Sequence, residues 1–207
     1  MKARQKPGVA ARARALVERL RHYHEISEVG ELVRRYVALN AFDGVLTTLG
    51  ILAGGYLGGV DEARTLLLVG FSTVMAMAVS GFYGSYLVEK AERGRALREL
   101  EESTLSSLKG TDIWAASRYA TVVIALADGG SPAVASALAF APFLFAGVIG
   151  ITTAYAVSVS VAIVECFALG VFLGRVSRER LVVSGLKLVV AGLVLLVISL
   201  LLEWGVS

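Results

Sequence analysis

Five runs of roughly twenty mostly apolar residues, at 38–60, 64–88, 131–150, 153–174 and 183–203, leave few folds open to this chain. Each has the length an α-helix needs to cross about 30 Å of hydrocarbon. A soluble domain of 207 residues would struggle to hide so much apolar surface, since 56% of them are hydrophobic and the mean hydropathy is +0.71. The expectation is an all-α membrane protein with five transmembrane helices and a short cytoplasmic helical insert between the second and third.

The charges give the expected topology. With the N-terminus inside, 1–37, 89–118 and 175–187 lie on the cytoplasmic side and hold nineteen of the twenty Lys and Arg residues, all but Arg64. An odd number of spans then puts the C-terminus outside, in a multi-pass protein of the cell membrane. Residues 1–37 read as a basic amphipathic helix, with Leu16, Leu20, Tyr23, Leu32 and Tyr36 on one stripe, and not as a secretory signal. The other segments are a first transmembrane hairpin at 38–88, the insert at 89–130 with a break near Gly110, a second hairpin at 131–174, and a loop with the fifth helix at 175–207. Cys166 is alone, so no disulfide can form within the chain.

Laid on itself with an offset of 85, the chain matches Asp43-Gly44 to Asp128-Gly129, and Lys90, Arg93 and Arg95 to Arg175, Arg178 and Arg180. Two parallel hairpin repeats followed by a fifth helix would produce this, as in many transporters. Chance would too, because Asp-Gly is a common pair and basic ends follow from topology.

Ionisable side chains inside spans are costly unless they face a cavity, a partner or water. Asp43 lies about 9 Å from the cytoplasmic edge of its span, and Glu165 sits at comparable depth in the fourth. Together they could share a divalent cation through oxygen ligands. The alternatives are an Asp43 that caps its helix near Thr47, and a Glu165 that is a protonated acid bonded inside the bundle. Met77 could add a soft thioether, or simply fill space. Gly50, Gly54 and Gly58, and likewise Ala133, Ala137 and Ala141, form small-residue faces for packing within the bundle or across a dimer axis. In the insert Glu89, Glu92, Glu99 and Glu102 share a broad helical face that could gather a cation, yet Glu89–Arg93, Arg95–Glu99 and Arg98–Glu102 also have the spacing of ion pairs on a solvated helix. His24, Glu28 and Glu31 form a weaker cluster.

No Gly-x-Ser-x-Gly, His-Glu-x-x-His, P-loop or dinucleotide fingerprint occurs, and both histidines lie in the N-terminal helix, so no enzyme activity, tightly bound cofactor or nucleic-acid partner is expected. The segment FDGVLTTLGILAGG resembles the Asp-Gly-containing first span of the vacuolar iron transporter family. GSYLVEKAER resembles the end of that family's second span, PAVASALAFAPF its third span and SGLKLVVAGLVLLVISLLL its last. The resemblance runs in order over roughly 38–203 and suggests a shortened, prokaryote-like member.

That resemblance implies a homodimer exporting Fe²⁺, often also Mn²⁺, from the cytosol against protons. Asp43 would be the pathway carboxylate, and Glu92 and Glu99 would fall among the family's cytosolic metal-binding acids. The chain departs from the family where it has Gly81 in place of a methionine about five residues before the tyrosine, with Met77 one turn earlier, and Thr73 in place of a glutamate. The expected site is therefore Asp43, Glu92, Glu99, Glu102, Met77 and Glu165, with metal ion, protons, lipid and a second copy of the chain as partners. Protonation of Asp43 or Glu165 would release the ion. A transporter of the same fold for another solute, and a non-transporting scaffold or assembly subunit, are the competing expectations.

Overall fold

The computed structural model describes residues 9–206, and they are almost entirely helical. The helices are α1 (Val9–Ser27), α2 (Val29–Leu57), α3 (Ala63–Thr104), α4 (Asp112–Phe140), α5 (Ala146–Ile149), α6 (Ile151–Ser177) and α7 (Leu181–Val206), with a 3₁₀ turn at Ala141–Phe145 joining α4 to α5. Five stretches among the described residues are long and apolar enough to cross a membrane: α2, α3, α4 with the short helices after it, α6 and α7. The chain is a multi-pass membrane protein. Residues 1–8 of the expected N-terminal helix, and the side chain of Leu16, lie outside the described residues.

The polar insert expected at 89–130 is not a unit of its own. Its first part is the end of α3, which runs unbroken through 42 residues, and its second part is the beginning of α4. The break falls where Gly110 suggested. Leu105 and Gly110 both take positive φ there, and the Leu108 N–H donates to the Glu101 carboxylate at 2.7 Å. Thr111 then caps α4 by accepting the Trp114 N–H. Polarity alone does not end a helix, and the glutamates, arginines and leucines of α3 are good helix formers.

The N-terminal region also differs from expectation. One helix was expected within 1–37, with the first span beginning at 38. Instead α1 stops at a left-handed Glu28, and α2 starts at Val29 and continues through the span. Val29 packs with Ala120 and Ile124 of α4, flanked by Leu32, Val33, Tyr36 and Tyr119. This cluster ties the polar half of α4 to α2, and α1 meets α4 through the Tyr23 and His24 rings against Tyr119 and an exposed His22–Asp112 contact at 3.5 Å.

Helix neighbours do not follow chain order. α3 packs mainly on α4 and only sparsely on α2, whereas α2 packs on α4, α6 and α7. Within lipid, apolar surface gives little drive for helices to associate, so close packing of small residues has to do it. The buried core is accordingly rich in alanine: Ala41, Ala135, Ala139 and Ala162 surround Val45, Leu49 and Cys166. Leucines such as Leu68, Leu87, Leu138 and Leu201 are exposed on the outside of the bundle.

The glycines in contact are not those of the expected stripe. Gly50 and Gly54 have no neighbour within 4 Å of a notional Cβ, and Gly58 meets only its own helix. Ala137 is exposed and Ala133 and Ala141 only partly covered, while Ala135, Ser136 and Ala139 are buried. The close approaches are elsewhere. A Cβ on Gly44 would stand 2.7 Å from the Pro132 backbone, and one on Gly129 would stand 2.4 Å from the Ala78 carbonyl oxygen. Gly170 does the same against Ser184, bringing α7 onto α6.

Gly129 and its neighbour Gly130 test this packing, because a Cβ on Gly130 would meet nothing within 4 Å. Gly129→Ala is expected to lower unfolding stability in detergent by about 1–3 kcal/mol, the usual cost of overpacking. Gly130→Ala should leave it unchanged or slightly raised through helix propensity. Equal thermal midpoints for the two variants would mean that α3 and α4 do not meet at Gly129.

Candidate metal site between α2, α3 and α4

Asp43 is the central residue of α2, with as much helix before it as after it. It therefore caps nothing, and the capping alternative is excluded. Gly44 explains why the residue beside it is glycine: at that point the α2 backbone rests on Pro132 of α4. The Gly44 carbonyl accepts hydroxyl bonds from Thr48 at 2.9 Å and Ser136 at 3.0 Å, which fixes the two helices in register. With Gly44 turned into the contact, Asp43 is left on the open side.

Asp128 lies inside α4, and there too the following glycine makes the helix contact, this time against Ala78 and Phe82 of α3. Its carboxylate accepts from Asn40 of α2 through Oδ1 and from Ser85 of α3 through Oδ2, so one side chain links three helices. Asn40 also donates to the Tyr36 carbonyl at 3.0 Å. Pro132, four residues on, has no N–H to give the Asp128 carbonyl, which loosens α4 at this level.

Both aspartates line one cavity of about 410 Å³, together with Asn40, Ala76, Met77, Ser80, Gly81 and Pro132. None of these residues is a cation. Asp43 has no hydrogen bond or ion pair among the described residues. Two oxygen donors of full charge, an amide, a hydroxyl and a thioether thus face the same space. Such a set can hold a divalent cation, and the thioether favours a borderline metal over Mg²⁺.

Gly81 and Thr73, where the chain departs from the pattern it resembles, are both engaged locally. A Cβ on Gly81 would stand 3.0 Å from the Gly129 Cα, so any larger residue there would push α3 and α4 apart by a few tenths of an ångström. Met77, one turn earlier, lines the cavity from the same helix. The Thr73 hydroxyl donates to the Val69 carbonyl of its own helix at 2.9 Å.

The remaining expected residues are not brought to this cavity. Glu165 lines a separate groove between the end of α4 and α6. Glu92 lines a space beyond the apolar span whose charged neighbours include Arg35, Arg93 and Arg95. Glu89 is buried and held by Arg93 at 2.9 Å, and exposed Glu99 is paired with Arg95 at 3.4 Å. Glu102 is exposed. No group of three or more His, Cys, Asp or Glu side chains is placed to hold a metal among the described residues, so Glu92, Glu99 and Glu102 are not gathered into one site. His24 lies edge-on to the Tyr119 ring, and Glu28 forms the break between α1 and α2.

At the turn between α6 and α7, Glu179 accepts from Lys187 at 3.0 Å and from Ser184 at 3.2 Å. The Lys187 bond and charge, then the Ser184 bond, hold the Glu179 carboxyl below its ordinary range. This clamp is formed above the ordinary glutamate range and lost as pH falls through the depressed value.

Asp128 was visible in the sequence as the partner of Asp43 in the internal offset, without a role of its own. Asn40, the single asparagine of the chain, was not among the expected site residues.

Comparison with known proteins adds one relative. The protein of Methanocaldococcus jannaschii described as uncharacterized protein MJ0645 is 32% identical to this chain over 161 residues, covering 76% of this chain and 82% of its own length. No protein-family model and no solved structure matches the chain.

The three-helix link at Asp128 predicts coupling. Asn40→Ala and Ser85→Ala are each expected to cost about 0.5–2 kcal/mol of unfolding stability in a bilayer mimetic. Each should cost almost nothing once Asp128 is already alanine, and a double-mutant cycle measures the difference. Fully additive losses would show that the bonds to Asp128 contribute no stability.

Proposed function

The chain belongs to the same family as the Methanocaldococcus jannaschii protein MJ0645, and we propose that it is a transporter carrying a divalent metal cation, Fe²⁺ and also Mn²⁺, out of the cytosol. The observation that carries this reading is the cavity between α2, α3 and α4, where Asp43 and Asp128 face one space with no positive side chain beside them. A pair of carboxylates at membrane depth is costly until a cation or a proton joins it. The cargo supplies the missing charge.

Each residue has a part in the cycle. Asp43, unpaired and open to the surface, takes the ion first. Asp128 contributes the second charge by loosening its bonds to Asn40 and Ser85, and the Asn40 amide oxygen and the Ser80 hydroxyl, which line the same cavity, can then turn to the metal. Met77 adds a soft donor that discriminates against Mg²⁺ and Ca²⁺. Proton counter-transport drives release on the far side. The basic segments support an N-terminus in the cytosol and a C-terminus outside the cell membrane. The unpartnered Gly50, Gly54 and Gly58 of α2 support assembly of the transporter as a homodimer, because close helix packing there needs a second chain.

Flux of Fe²⁺ and Mn²⁺ into proteoliposomes tests the reading. The unmodified chain should carry both ions and not Mg²⁺. Asp43→Ala and Asp128→Ala should fall to the background of empty liposomes while remaining folded. Met77→Leu should keep Mn²⁺ flux and lose part of the preference over Mg²⁺. Absence of flux with every divalent metal, or full flux in Asp43→Ala, would overturn it.

A further inference from the structure

Glu165 stands near the midpoint of α6, and both of its carboxyl oxygens are buried without a hydrogen-bond partner. No ion pair reaches it among the described residues. It lines a groove of about 1020 Å³ between the end of α4, the 3₁₀ turn and α6. The rest of that lining is uncharged and nearly all apolar, with Leu138, Pro142, Phe145, Val157 and Val161 prominent and Ser160 the one other polar side chain. The Asp43 cavity shares no residue with this groove.

The surroundings of Glu165 offer nothing to balance a negative charge. No titratable residue lines the groove from α4, the 3₁₀ turn or α5. α2 contributes Ala41, Val45 and Leu49 to the core next to Cys166, and its one mid-helix acid, Asp43, opens on the other cavity. α7 packs Leu188, Val189, Leu195 and Leu196 into that core, and its Lys187 is engaged by Glu179. On α6 itself the neighbouring titratable group is the Cys166 thiol, buried and weakly polar. An unpaired carboxylate in such surroundings is far costlier than the neutral acid.

We infer that Glu165 is a proton-binding site separate from the cation cavity: a neutral carboxylic acid facing the apolar groove, which takes up and gives back a proton without binding metal. The Ser158 hydroxyl, also buried and unpartnered, lies seven residues earlier on the same side of α6, about 10 Å along the helix toward its N-terminal end. The part of Glu165 in coupling rests on the transport reading above; its protonation does not. Where that reading holds, metal and proton bind to different carboxyls, and the proton need not displace the metal from Asp43.

Labelling with dicyclohexylcarbodiimide tests the inference on the full chain in liposomes near neutral pH. This apolar reagent reacts with a carboxylic acid, whose proton passes to a carbodiimide nitrogen while its oxygen bonds to the central carbon. The adduct then rearranges to an N-acylurea, and nothing leaves. Peptide mass spectrometry is expected to find the adduct at Glu165 and not at Glu99 or Glu102, which are exposed to water. Glu165→Gln should abolish it, and Asp43→Asn should retain it. No adduct at Glu165, or equal labelling of the exposed glutamates, would overturn the inference and leave the transport reading untouched.

Flux provides the second readout. Glu165→Gln should keep Mn²⁺ movement down its own gradient but lose its acceleration by an imposed pH gradient. If Glu165→Gln still responds to that gradient while Asp43→Asn, with residual flux, does not, then proton and metal share Asp43 and the separate site is wrong. Absence of all flux in the unmodified chain would count against transport alone, because the labelling result stands by itself.

Discussion

The close approach of α4 to both α2 and α3 governs the rest of the structure. In hydrocarbon, apolar side chains gain little by leaving lipid for protein, so helices hold together where their backbones come near enough for dense contact. Gly44 lets α2 rest on Pro132, and Gly129 lets α3 rest on α4 at Ala78 and Phe82. Each glycine follows an aspartate. Consecutive residues on a helix point about 100° apart, so the glycine that enters a contact leaves its aspartate beside the seam. Two such seams on one helix turn both aspartates toward one cavity.

The two carboxylates are not equivalent in that cavity. Asp128 is held by Asn40 and Ser85, whereas Asp43 has no partner. Asp43 is therefore the acid whose oxygens are free toward the cavity. The same seams set the position of the thioether. Gly81 sits against Gly129, and α3 offers its methionine from the adjacent turn, where Met77 stands.

How far the sequence disclosed this differs from residue to residue. The five spans were legible because length and apolarity are cumulative properties that no single contact overrides. Element boundaries were less so: hydropathy marks where lipid would end, not where a helix ends, so α3 and α4 run on past their apolar parts. Asp43 could be singled out because charge inside a span is rare, yet capping could be rejected only once α2 was seen to begin at Val29. Asp128 was visible as an echo of Asp43, but its partners Asn40 and Ser85 lie 88 and 43 residues away in sequence, and no local pattern reports them. The glycine stripe of α2 misled for a related reason. Spacing identifies a face on which helices can approach, and packing decides which glycines are used.

The fifth span has a different relation to the polar groups from the other four. α7 carries no acid until Glu203 near its end, and Lys187 is committed to Glu179 at the turn. Its contacts are glycine seams and apolar faces: Gly170 and Gly174 receive Ser184, and Gly192 sits over Leu49 and Cys166. These contacts cover the side of α6 that bears Cys166, next to the α2 core. Since Glu165 is rotated about 100° from Cys166 around α6, covering the one side leaves the other facing the groove. The helix without chemistry of its own thereby fixes which face of α6 remains open, and Glu165 is on that face.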